Sequence, residues 1–181
     1  TVATELDSTG REVVLHRTSA DGGASFGEGR VVVFPDTYTP RAYPAAMQVT
    51  PSGTVVVVLR VAVPEVFGAF RHLVTRSTDG EGFGEPVAIT GPDTYSLPTV
   101  RLATGPRGRV ALAYTGYVAI QGELIPFNLV HLSGNDAKSF SKAKRITKKA
   151  DGYQGIGEAD VAYDSRGRLV LVTRIDAYDG D

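Results

Sequence analysis

The chain has 181 residues, 19 basic against 20 acidic side chains and a net charge of −1, which suits one ordinary domain and gives no electrostatic drive toward nucleic acid or a membrane surface. With no cysteine it has no disulfide framework, no thiolate metal site and no cysteine nucleophile. Its 21 glycines, 10 prolines and single methionine favour strands and turns over helices.

No apolar run approaches the roughly 18–20 residues that span a bilayer; the longest are about five residues, as at Val55–Leu59. The chain opens Thr1-Val2-Ala3 without an initiating Met, which fits a processed chain or a piece of a longer one.

In chain order, "REVVLHR" (11–17) reads as the first clear strand and is followed by "TSADGGASFGEG" (18–29). "PAAMQV" and "TVVVVLRV" then form a pair of strands across the turn "TPSGT", and "FRHLVTR" leads into "RSTDGEGFGEP" (76–86) and the strand "EPVAIT". The same order returns as "PTVRLA", "RVALAYTG", "FNLVHL", "LSGNDAKSF" (132–140) and "AKRIT", and begins again with "EADVAY" and "GRLVLVTR". Three words recur with a period near 57 residues: the Ser-x-Asp/Asn turn, "PDTY" (35–38, 92–95; "ADGY" at 150–153), and the hairpin words "VTPSGTVVVV", "ATGPRGRVAL" and "YDSRGRLVLV". A four-stranded unit repeating every ~40–60 residues is the signature of a propeller blade. The expected fold is therefore an all-β propeller of four-stranded antiparallel blades. It has about three blades' worth in one chain: a partial blade at 1–38, blades at 39–95 and 96–153, and a partial blade at 154–181.

The turn words are built from Ser19, Asp21, Gly23 and Phe26; Ser77, Asp79 and Phe83; and Ser133, Asn135 and Phe140. "SADGGASF" resembles in full the Asp-box, or BNR repeat, of sialidase-like β-propellers; "STDGEGF" is similar with one deletion, and "SGNDAKSF" is degenerate. Because Asn replaces Asp in one copy, the box residues read as hairpin clasps rather than acids. The resemblance covers essentially the whole chain. It implies a glycoside-recognising propeller, as a glycoside hydrolase of sialidase type or part of one. The alternative is a non-catalytic carbohydrate- or protein-binding propeller, lectin-like or an assembly module. A glycan partner, an extracellular or secreted setting, and no cofactor or metal are expected. Three blades leave open sheet edges. Further blades are therefore expected from the same longer chain or from a second copy, the latter giving a roughly six-bladed ring. Closure would pair Leu169–Arg174 with Glu12–Arg17.

In a blade, the strand 1–2 and 3–4 turns share one face, so chemistry is expected at the opposite one. Residues repeated in each blade read as structural: Asp36, Asp93 and Asp151 as turn caps, Tyr38, Tyr95 and Tyr153 as inter-blade packing. Residues that occur in one blade are the candidates. The resemblance implies arginines that fork onto a substrate carboxylate, a Tyr nucleophile and acidic partners. Arg41, Tyr43, Arg101, Glu158 and Asp160 are of those types, and "RAYPAA" (41–46) is faintly similar to the Arg-Ile-Pro motif of sialidases. Loop aromatics and a carboxylate, Phe67, Phe70, Tyr117, Glu123 and Tyr178, are candidates for holding a sugar. His16, His72 and His131 fall on third strands at non-equivalent positions and read as strand-face residues. The basic run from Lys138 to Lys149 reads as a solvated outer edge, with an acidic glycan as its functional reading.

Overall fold

The computed structural model describes residues 1–37, 41–64, 68–90, 94–120, 123–146 and 153–177. Among them the chain is all-β, apart from one turn of 3-10 helix at Pro35–Thr37.

A first sheet holds β1 (Val2–Leu6), β2 (Glu12–His16) and β3 (Arg30–Val33). The second holds β4 (Ala42–Val49), β5 (Val55–Ala62), β6 (Phe70–Ser77) and β7 (Val87–Ala88). The third repeats it with β8 (Thr94–Gly105), β9 (Arg109–Ile120), β10 (Glu123–Ser133) and β11 (Lys144–Arg145). The fourth contains β12 (Tyr153–Tyr163) and β13 (Leu169–Ala177). All pairings are antiparallel, and the second and third sheets touch through one bridge, Phe70 opposite Ser96.

The sheets pack face to face, and alternation along each strand feeds two different cores. Val55, Val57 and Leu59 of β5 meet Val14, Val32 and Val33 of the first sheet. Their neighbours Val56 and Val58 point the other way, onto Val100, Leu112, Tyr114 and Phe127 of the third. This two-sided burial is why "VVVVL" is unbroken by polar residues. A third core joins Ala103, Ala111, Ala113 and Val130 to Ala159 and Val161. Small side chains dominate there, so the third and fourth sheets can approach closely.

The inner hairpins turn on Gly53, Gly108 and Gly167, with φ of 88°, 70° and 73°. Only a residue without Cβ takes that conformation freely, which explains the recurring glycine. Gly105 has a different reason. A Cβ there would lie 2.6 Å from Cγ of the Tyr163 ring, which rests on its backbone. Gly105→Ala is expected to cost about 1–3 kcal/mol by overpacking. In urea denaturation, Tyr163→Ala in the same chain should recover part of that loss; strict additivity would show that the ring is not the obstacle.

One expectation changes. The stretch 116–127 is not simply a loop: β9 and β10 run on to Ile120 and from Glu123, with Tyr117 opposite Pro126. Among the described residues β13 pairs within the chain only with β12, which leaves its other edge open for the pairing of 169–174 with 12–17 expected between copies.

Candidate functional site

The innermost strands β4, β8 and β12 stand side by side, β8 between the other two. Counting back from the hairpin glycines gives their register. Arg101 is seven residues before Gly108, and Asp160 is seven before Gly167. The two therefore occupy equivalent points on neighbouring strands. Buried Val100, Leu102, Ala159 and Val161 alternate with them, which turns Arg101, Glu158 and Asp160 out of the cores.

The three meet there. The Arg101 Nη2 is 3.6 Å from Glu158 and its Nε 3.9 Å from Asp160, while Thr99 donates a hydrogen bond of 3.3 Å to Glu158. Side-chain exposures of 44%, 64% and 70% mean that all three still face water. The contacts are too long for tight hydrogen bonds, so the carboxylates retain lone pairs for a ligand's hydroxyls.

Arg41 and Tyr43 form a second group at the start of β4. Arg41 donates to Glu12 at 2.7 Å, and its pKa is raised first by the Glu12 charge and then by the Tyr43 hydroxyl. No bond links this group to the Arg101 group among the described residues, so the five candidates divide into two clusters. Glu12 belongs to the first of them and was not singled out by sequence; it sits on β2, where the repeat gives no cue.

Phe70 is a strand residue, opposite Ala62 on β5, with the Arg60 guanidinium 5.4 Å from its ring centroid. Tyr117 lies on β9, opposite Tyr95 and Pro126, and the backbone of Glu123 opens β10. Phe67 and Tyr178, with Tyr38, Asp93 and Asp151, lie outside the described residues. The Asp36 carboxylate takes the fork of Arg11, at 2.9 Å from Nε and 2.8 Å from Nη2.

At the other end of the strands, the three turn words repeat one clasp. Ser19, Ser77 and Ser133 donate to Asp21, Asp79 and Asn135 at 2.7, 2.8 and 2.8 Å. Asp79 Oδ1 also accepts the N–H groups of Glu81 and Gly82, and Asn135 that of Ser139. These donors hold the Asp79 carboxyl below its ordinary pKa, so it stays ionised and is no acid at neutral pH. Ser52 of the second sheet's hairpin donates to Asp136 of the third clasp at 2.8 Å, and the Asp136 N–H to Gly108 O at 2.8 Å. Clasps and hairpins therefore share one end, and that end is a structural network.

An α-L-arabinanase from Penicillium chrysogenum, solved with arabinobiose, superposes on 94% of this chain and 52% of its own at a TM-score of 0.59 and 9% identity. The chain shares its fold. An α-L-arabinofuranosidase from Lactobacillus brevis matches 98% of this chain and 60% of its own, at a TM-score of 0.50 and 15% identity. Both are β-propeller glycosidases. At such identities the likeness is one of architecture alone, and the chain spans between half and three fifths of their length. No protein-family model and no curated protein matches the sequence. The neighbours thus support a glycosidase-type propeller fold, without reaching the sialidase-like family.

Proposed function

We propose that the chain is part of a carbohydrate-recognising β-propeller whose sugar site is formed at the inner strands by Arg101, Glu158 and Asp160. The observation that carries this reading is the exposed, loosely paired cluster on two adjacent inner strands. An arginine and two carboxylates supply donors and acceptors together, the pattern that hydroxyl pairs require. Glu158 and Asp160 lie on one face of β12, with Cα atoms roughly 6.5 Å apart from strand rise alone. Two carboxylates so placed can accept from neighbouring hydroxyls of one sugar ring.

The ligand that best suits the cluster is a neutral sugar. Arg41 is committed to Glu12, and the charge of Arg101 is already countered by two acids, which disfavours a substrate carboxylate at either guanidinium. A sialidase-type site remains the reading favoured by the Asp-box words; it requires both arginines to leave their acids. Further blades, from a longer chain or a second copy, would cover Phe26, Val170 and Val172, which are 48%, 46% and 65% exposed on the outermost sheets.

Calorimetric titration with arabinobiose, a neutral xylo-oligosaccharide and sialyllactose tests this. A neutral sugar should bind, and Glu158→Gln and Asp160→Asn should each weaken it at least tenfold, about 1.4 kcal/mol. Binding of sialyllactose alone, abolished by Arg41→Ala and Arg101→Ala, would establish the sialidase reading instead. A chain that binds a sugar but leaves its nitrophenyl glycoside intact is a lectin-like module.

A further inference from the structure

Among the described residues the outer strands β7 and β11 are two residues each. Between the second and third sheets lies a cleft of about 620 Å³, well away from the inner strands. Volumes of about 300–1,000 Å³ are those of small-molecule sites. Its walls carry Val74, Ile89 and Phe140, and the hydrogen-bonded pair of Tyr114 and His131 lies at 3.0 Å within it.

The charges around this apolar space do not balance. Arg76, Lys138 and Lys142 line it against a single carboxylate, Glu85. None of the three cations has an ion pair among the described residues, and the Nη1 of Arg76 is buried without a hydrogen-bond partner. A guanidinium half-buried beside an apolar wall costs desolvation that no ion pair among the described residues returns.

The hydroxyls that line the cleft are already engaged. Thr75 donates to Gly84 O at 2.5 Å, Ser139 accepts from Asn135 at 2.9 Å, and Ser141 donates to Lys142 O at 3.0 Å while accepting the Leu132 N–H at 3.1 Å. A sugar would find few free partners there. An anion with an apolar body would find both cations and hydrocarbon. We propose that this inter-sheet cleft binds a small amphipathic monocarboxylate, its carboxylate between Arg76 and Lys138 and its hydrocarbon against Val74, Ile89 and Phe140.

The test is an amide-resonance titration of the whole chain with sodium octanoate, against octan-1-ol and octylamine as neutral and cationic probes of the same body. Octanoate should shift the resonances of Val74 and of Ala137–Ser141, and bind at least tenfold more tightly than either control. Arg76→Gln and Lys138→Gln should each weaken it at least fivefold, whereas Arg101→Gln, at the inner strands, should leave it unchanged. Lys138 is exposed, so its substitution reports even if Arg76→Gln folds poorly. Equal binding of octanol, shifts confined to residues around Arg101, or no binding of octanoate would each overturn the proposal. None of these outcomes depends on whether a sugar binds at Glu158 and Asp160.

Discussion

Acidification from pH 7 to pH 4.5 should destabilise the chain by at least about 2–3 kcal/mol, and His72→Gln should remove the largest single part of that dependence. His72 is fully buried between the second and third sheets, beside Ser96 Oγ at 3.3 Å and edge-on to Tyr114 at 5.2 Å. Its Nδ1 has no partner. Burial, then the nearby His131 and Arg60, push its pKa down from 6.5 to about 4. His131 and His16 are lowered as well, burial again being the main cause, although the Ser141 carbonyl draws His131 partly back. A depressed histidine means that the unfolded chain takes up its proton first. The stabilisation is therefore complete above about pH 6.5 and is lost as pH falls toward 4, where the folded state protonates too. At about 1.4 kcal/mol per pH unit, His72 alone accounts for about 3 kcal/mol over that window. The clasp and ion-pair carboxylates Asp21, Asp79, Asp36 and Asp164, held below the usual range by hydrogen bonds, act in a lower window, their contribution present above about pH 3.8 and lost below it. Urea midpoints measured from pH 7.5 to 4.5 separate the two. If the His72→Gln chain loses stability as steeply as the parent above pH 4.5, the buried imidazole is not the cause.

Much of this architecture could be read from the repeat. The hairpin glycines, the Ser-x-Asp clasps and the apolar run at Val55–Leu59 each answer to a local rule, and each marks a fixed point in a sheet. Once the inner strands are known to be neighbours, counting from those points aligns Arg101 with Asp160. The misreadings came where local punctuation and tertiary pairing disagree. Gly116, Gly122 and Pro126 make 116–127 look like a loop. Yet among the described residues Pro126 has no outer neighbour, since β11 there pairs only with Leu129 and Val130. A proline that faces an unpaired edge costs the sheet nothing, and the hairpin continues past it. Phe70 reads in the sequence both as the first residue of the strand "FRHLVTR" and as a loop aromatic; its pairings with Ala62 and Ser96 hold it in β6. The inter-sheet cleft was not legible at all. Arg76 and Lys138 are 62 positions apart and come to line one cleft only because one sheet stacks on the next.

The phenylalanines of the three clasps provide a direct test of that stacking. Phe83 should be costly to remove and Phe26 nearly free, although both close the same sequence word. Phe83 follows the second sheet's clasp but packs on the first sheet, edge-on to His16 at 5.8 Å and against the cluster of Val14 and Val57. Phe140 follows the third clasp and packs on the core shared with the second sheet, near Val74. Each clasp therefore places its ring on the preceding sheet. Phe26 belongs to the first sheet, has no preceding sheet among the described residues, and is 48% exposed. Phe83→Ala should cost about 2–3 kcal/mol, somewhat less than the ~3–5 kcal/mol of a fully buried ring. Phe26→Ala should fall within about 0.5 kcal/mol of the parent, as surface changes do. Urea unfolding at two protein concentrations makes the comparison sharper. Equal costs at both concentrations would show that clasp rings act within their own sheet. A Phe26 cost that appears only at the higher concentration would show that a second copy supplies the missing sheet, since only then does the ring have a surface to leave.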